Sequence, residues 1–187
     1  VLWSSDLRGF TARSDRLPGD RLIALLNALF DARAKAIHDH GGEVLKFIGD
    51  GLLAIFAIEK PGADAEAARH ALNAAVETLG AVRRLGDELA AVGEPPLNIL
   101  VALHAGTAIY GNIGAADRLD FTVMGPAVNL VSRIEAVAKT LDLPIVVSTE
   151  FARAYGGPLR SLGSHQLRGL ANPRELFAPA VTGSLAA

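Results

Sequence analysis

Apolar positions change period along the chain, and each change marks an element. Val1-Leu2-Trp3 runs into Ser4-Ser5-Asp6 as a short strand, followed by a turn, Leu7-Arg8-Gly9-Phe10-Thr11. Asp20, after Pro18-Gly19, reads as a helix N-cap. Apolar residues then recur at Leu22, Leu25, Leu26, Leu29, Ala32, Ala36 and Ile37, a helical stripe that Gly41 stops. Within residues 43–56, two apolar runs flank Gly49-Asp50-Gly51, and Asp-Gly between hydrophobic runs predicts a β-hairpin.

Asp64, after Pro61-Gly62, caps a second, Ala-rich helix reaching about Leu89, striped by Ala68, Ala71, Leu72, Ala75, Val76, Leu79 and Val82. Leu97 to His104 is a strand buried on both faces, with Ala108 to Ile113 its expected partner across Gly106-Thr107. Asp117-Arg118 marks a surface turn and Leu119 to Val123 another strand. Gly125-Pro126 then opens a helix that runs to about Thr140. Ile145 to Val147 is a strand, Thr149 to Tyr155 a short helix, and residues 167–170 with 175–178 a last hairpin. This order predicts an α/β domain with a mixed sheet and helices packed on it.

Composition narrows the picture. At 187 residues the chain is most simply one domain. A net charge of −2 leaves no electrostatic footprint for nucleic acid. The absence of cysteine excludes disulfides, thiolate chemistry and cysteine zinc sites, and fits a reducing compartment. Mean hydropathy is positive, and Pro95 to Ala116 carries no Asp, Glu, Lys or Arg. Asn98, His104, Gly106, Thr107, Gly111, Asn112 and Gly114 interrupt that stretch, which falls short of the roughly twenty apolar residues of a spanning helix. The chain begins at Val1 without methionine, so a piece of a longer protein is expected.

Candidate chemistry rests on three places. Asp6 leaves the first strand just before Gly9, and Asp50 sits at the hairpin tip. If that strand pairs with the hairpin, both carboxylates project from one end. Oxygen-only ligands suit Mg²⁺ or Mn²⁺, and paired metals are a recurring device of phosphoryl chemistry. Gly9-Phe10-Thr11 would then offer backbone N–H groups to phosphate oxygens; no Walker A sequence occurs. Asn129 and Arg133, four apart on one helix, share a face, and an arginine fork matches a phosphoryl transition state. His104, at a strand end, reads as structural.

These residues resemble a family along nearly the whole chain, the class III nucleotidyl cyclase catalytic domains. Asp6-Leu-Arg-Gly-Phe-Thr11 is similar to the family's first metal motif and Lys46-Phe-Ile-Gly-Asp50 to its second. Phe121-Thr-Val-Met-Gly125 through Asn129 to Arg133 is similar to its transition-state segment. The resemblance implies a ferredoxin-like α+β sandwich and an adenylate cyclase of bacterial type, which makes 3′,5′-cyclic AMP and pyrophosphate from ATP. It implies two Mg²⁺ (or Mn²⁺) ions on Asp6, Asp50 and the Leu7 carbonyl. Asn129 would orient the ribose, Arg133 would stabilise charge at the α-phosphate, and Lys46 with Thr122 would select adenine. Lys46 and Asp50 lie about 13 Å apart along an extended segment. In the family this is resolved by a head-to-tail dimer with shared sites, so a homodimer is implied.

Three positions depart from the family pattern: Thr107 and Leu170 stand where members carry phosphate-binding cations, and Pro126 where Asp or Asn is common. Arg168 or Arg174 could substitute. The alternatives are a guanylate cyclase, or from another class a catalytically silent nucleotide-binding dimerisation module. Gly41-Gly42-Glu43 also resembles an incomplete diguanylate cyclase signature. The resemblance implies a cytoplasmic catalytic domain behind an upstream sensor or regulatory domain, and leaves membrane attachment of the parent open.

Overall fold

A computed structural model describes residues 1–91, 93–115 and 118–180, with backbone only for Tyr110, 113–115 and 118–122. Asp117 of the expected surface turn lies outside the described residues. The chain runs β1 (Leu2–Leu7), α1 (Phe10–Ser14), α2 (Gly19–Asp39), β2 (Glu43–Ile48), β3 (Gly51–Ile55) and α3 (Asp64–Ala90). It continues through β4 (Ile99–His104), β5 (Ile109–Ala115), β6 (Arg118–Met124) and α4 (Pro126–Leu141). β7 (Ile145–Ser148), α5 (Thr149–Tyr155), β8 (Leu159–His165) and β9 (Arg174–Pro179) complete it.

Seven strands form one mixed sheet in the order β2-β3-β1-β4-β7-β9-β8. β1 pairs antiparallel with both β3 and β4, and β4 pairs parallel with β7. Strand side chains alternate between faces, so each strand feeds two cores. Trp3, Leu7, Val101 and Leu103 join Leu29, Ile37, Ala71 and Val82 beneath α2 and α3. Leu2, Leu100, Ala102 and Val146 join Val131, Ile134 and Ala138 of α4 on the other face. All six residues of β4 are buried, as expected of a strand covered on both sides. Among the described residues, no helix is long and apolar enough to cross a membrane.

Five local expectations change. Ala108 to Ile113 does not pair with the preceding strand, because β1 and β7 already occupy both edges of β4. β5 instead forms a separate two-stranded ribbon with β6. The last hairpin is β8 with β9, and residues 167–170 form a turn in which Leu170 N–H donates to the Leu167 carbonyl. β8, Leu-Arg-Ser-Leu-Gly-Ser-His, has no β-branched or aromatic residue and so gave no strand signal. Asp20 and Asp64 are first-turn acids rather than caps, since Pro18 and Ala63 hold the N-cap positions. There they complement the positive end of the helix dipole. The α3 stripe is also rotated: Val76 is exposed, while Ala67, Ala74 and Thr78 are buried.

The Gly41-Gly42-Glu43 stretch has a structural role. Gly41, at φ 76°, follows the cap of α2; its N–H donates to the His38 carbonyl and that of Gly42 to Ile37. This is a Schellman stop. A Cβ on Gly42 would sit 2.6 Å from the Phe56 ring and 2.7 Å from Ile37, both buried. Gly42→Ala should therefore destabilise the domain by about 1–3 kcal/mol through overpacking. Urea unfolding midpoints check this, and an unchanged midpoint would mean the Phe56 ring yields freely.

Candidate active site

The cleft begins with the alternation of β1. On the α4 face, Ser4 Oγ donates to Glu135 Oε2 at 2.5 Å, and Lys139 Nζ lies 2.6 Å from Asp6 Oδ2. On the α2 face, Arg33 Nη1 donates to Ser5 Oγ at 3.3 Å. Asp6 thus belongs to the α4 side at the C-terminal end of its strand.

The hairpin supplies Asp50. Ile48 pairs with Gly51, so the two-residue turn is Gly49-Asp50, one position earlier than an Asp-Gly turn would be. Gly49, at φ 60°, occupies the position where a type II′ turn calls for glycine. A Cβ on Gly51 would stand 3.0 Å from the Ser5 carbonyl oxygen and 3.5 Å from Asp6 Oδ1. Its absence lets the hairpin tip close on β1. Leu7 N–H donates to Asp50 Oδ2 at 3.1 Å, and Arg33 Nη1 donates to the Asp50 carbonyl at 2.8 Å.

Asp6, Leu7, Gly9, Phe10, Thr11 and Asp50 consequently line one cleft of about 580 Å³, together with Lys139 from α4. Gly9, at φ 67°, turns the chain from β1 into α1. Arg8, ion-paired with Asp142, forms part of the wall. Burial raises the Asp50 carboxyl above the usual carboxylate range, and repulsion from Asp6 adds to it, against the Leu7 N–H and Lys139. Burial opposes the charge on Lys139, yet its bond to Asp6 and the nearby carboxylates prevail and raise its pKa. Burial brings the Arg33 guanidinium down to about 10, with Asp50 and Asp6 opposing, so it stays charged at neutral pH.

Two adjacent carboxylates that repel each other, beside a glycine turn, suit a divalent cation. Among the described residues, no three acidic or imidazole side chains gather as a complete metal cage. Mg²⁺ commonly takes one or two carboxylates and completes its shell with water and substrate phosphates, so this donor set fits it.

Other expected site residues lie elsewhere. Lys46 is in β2, and neither it nor Asn129 nor Arg133 lines the cleft. Asn129 is about 15 Å along α4 from Lys139 by helical rise. Thr122 stands opposite Gly111 in the ribbon. Thr107 lines a different cleft of about 820 Å³, at the other end of β1. Neither Arg168 nor Arg174 lines the carboxylate cleft; Arg174 opens β9, three strands from β1. Lys139 and Arg33 were the cations not anticipated. Arg33 had a legible signal, a charge four residues from both Leu29 and Ile37 within an apolar stripe. Lys139 carries no such signal, being a lysine in the last turn of a helix.

Comparison with known proteins follows the same lines. Residues 1–171 match the adenylate and guanylate cyclase catalytic domain family. An adenylate cyclase of Anabaena cylindrica is 31% identical over 157 residues, 82% of this chain and 30% of that protein. The chain therefore spans less than a third of that relative's length. The adenylyl cyclase CyaB from P. aeruginosa superposes with a TM-score of 0.87 at 28% identity, covering 94% of this chain and 90% of that one. The guanylyl cyclase Cya2 gives 0.81 at 30% identity, covering 94% and 88%.

His104 lies outside this chemistry. It is buried, and its Nδ1 shares a 2.9 Å hydrogen bond with the Ser148 hydroxyl, which also accepts the Phe151 N–H at the start of α5. Burial lowers its pKa from 6.5, with Glu150 opposing. The unfolded chain then binds more protons than the folded one, so stability falls as pH drops through 6.5 toward the folded value. His104→Gln should flatten that decline in urea midpoints measured between pH 7.5 and 5.5. An unaltered slope would assign the decline to other groups.

Proposed function

Because the chain belongs to the class III adenylate and guanylate cyclase catalytic domains, we propose that it converts ATP to 3′,5′-cyclic AMP and pyrophosphate. The observation that carries the reading is the convergence of Asp6 and Asp50 in one cleft beside the Gly9 turn. Asp6, Asp50 and the Leu7 carbonyl would hold the divalent cations, two per site. Bound there, such ions acidify the attacking hydroxyl and neutralise the leaving phosphates.

The chain's own residues perform the positioning. Gly9, Phe10 and Thr11 receive the phosphates on main-chain N–H groups. Asn129 orients the ribose so that its 3′ oxygen lies in line with the α-phosphorus. As the new P–O bond forms, the bond to the bridging oxygen breaks, the hydroxyl proton is released and pyrophosphate departs. Arg133 meets the negative charge that develops at the α-phosphate. Lys46 donates to a purine ring nitrogen and Thr122 accepts from the adenine amino group. The family's guanylyl cyclases carry an acid at the Lys46 position, so ATP is preferred to GTP despite the likeness to Cya2.

The placement of these groups supports a homodimer. Lys46, Asn129 and Arg133 stand outside the carboxylate cleft, so a second subunit would supply them. Large apolar side chains are exposed for such a partner to cover: Phe47 and Ile48 on the edge strand β2, Ile23 on α2, and Ile109 and Met124 on the ribbon. A patch of that kind marks an interaction surface. The whole protein's regulator, and any sensor preceding this domain, belong to the same proposal.

Mixing tests the shared site. With Mn²⁺ and ATP, Asp50→Ala and Arg133→Ala should each lose cyclic AMP formation by at least about 100-fold. An equal mixture should regain roughly a quarter of the wild-type rate, because half the dimers then hold one intact site of two. Heterodimers that form yet stay inactive would remove the shared-site reading. For base selection, Lys46→Glu should reduce turnover of ATP far more than that of GTP. Equal losses in kcat/KM would mean that Lys46 does not read the base.

A further inference from the structure

Arg33 is fully buried in the apolar stripe of α2, between Leu29 and Ile37. Nothing in the cyclase reaction as proposed above uses it. Its Nε donates to the Leu29 carbonyl at 3.1 Å, and its guanidinium carbon lies 4.8 Å from the Phe30 ring centre. Nη1 reaches out of the helix to two places at once, the Ser5 hydroxyl of β1 and the Asp50 carbonyl of the hairpin tip. Nη2 is buried with no hydrogen-bond partner among the described residues.

That inventory argues against a purely stabilising role. Burying a guanidinium carries a large desolvation cost, and apolar residues of similar volume often serve stability as well or better. An unpartnered buried N–H group adds to the cost. What the arginine supplies is position. The Asp50 turn is flanked by Gly49 and Gly51, which leave its backbone freer than any other residue would. Leu7 N–H fixes the Asp50 carboxylate, Arg33 fixes its carbonyl, and the same Nη1 ties both to β1 one residue before Asp6.

We infer that Arg33 is a positioning residue for the cation site: its guanidinium clamps the hairpin tip to β1 and sets the separation of the Asp6 and Asp50 carboxylates. The inference rests on the reading of those two residues as metal ligands. Groups that orient a ligand from behind typically change metal affinity by about 10- to 100-fold when removed.

The experiment measures Mn²⁺ binding by electron paramagnetic resonance, with a non-hydrolysable ATP analogue present, alongside thermal unfolding. Asp50→Asn serves as the control; if it leaves Mn²⁺ binding unchanged, the ligand assignment itself fails. With that control lost as expected, Arg33→Met should weaken Mn²⁺ binding about 10- to 100-fold without lowering the melting temperature. In turnover, the Mn²⁺ concentration for half-activation should rise while kcat at saturating Mn²⁺ largely recovers. Arg33→Lys, which keeps the charge on a single donor nitrogen, should fall between the two. Arg33→Met binding Mn²⁺ as tightly as wild type would overturn the inference, as would weaker binding that merely tracks a lower melting temperature. If Arg33→Met does not fold, Arg33→Lys decides: wild-type affinity in that variant overturns it, and reduced affinity at an unchanged melting temperature supports it.

Discussion

Two carboxylates held side by side repel, and Asp6 and Asp50 are kept together by the register of β1 against β3, in which Ser5 stands opposite Leu52. That register brings the hairpin tip level with the end of β1, and Gly51 removes the side chain that would hold it off. The repulsion is offset from both sides of the sheet. Lys139 approaches Asp6 from α4, while Arg33 grips the Asp50 backbone from α2. The Leu7 N–H supplies a third contact. Together these three contacts hold the two acids in place at the end of β1.

The two-faced sheet is what allows this arrangement. Odd positions of β1 serve the core under α2 and α3, and even positions serve the core under α4. One short strand therefore places Ser5 beside Arg33 and Asp6 beside Lys139. Trp3 and Leu7 anchor one face and Leu2 the other, so the polar residues between them have little freedom to shift.

The same geometry separates the groups proposed to read the nucleotide from those proposed to hold cations. Asn129 and Arg133 belong to the first half of α4, while the cleft meets its last turn through Lys139. Thr107 and Leu170, which stand where members of the family carry phosphate-binding cations, do not line the carboxylate cleft either. Lys139 is the lysine that does border the cleft, and its position follows from helix length rather than from any motif. Apolar residues of β2, α2 and the ribbon are exposed, as the proposed dimer requires of the surface it would cover.

Local chemistry determined much of this in the sequence alone. The helical stripe of α2, its Gly41 stop, the hairpin around Asp50 and the Gly125-Pro126 helix start are all short-range features, so periodicity and turn residues reveal them. The motifs around Asp6, Asp50 and Arg133 were legible for the same reason, and they led to the family. Long-range pairing was not legible. That β5 turns to β6 depends on both edges of β4 being taken, and β8 joins β9 without a strand-like composition. Arg33 and Lys139 became part of the site only through tertiary packing. A side chain's role there depends on which carboxylate the fold sets opposite it, and that is a property of the sheet register rather than of the residues near it in the chain.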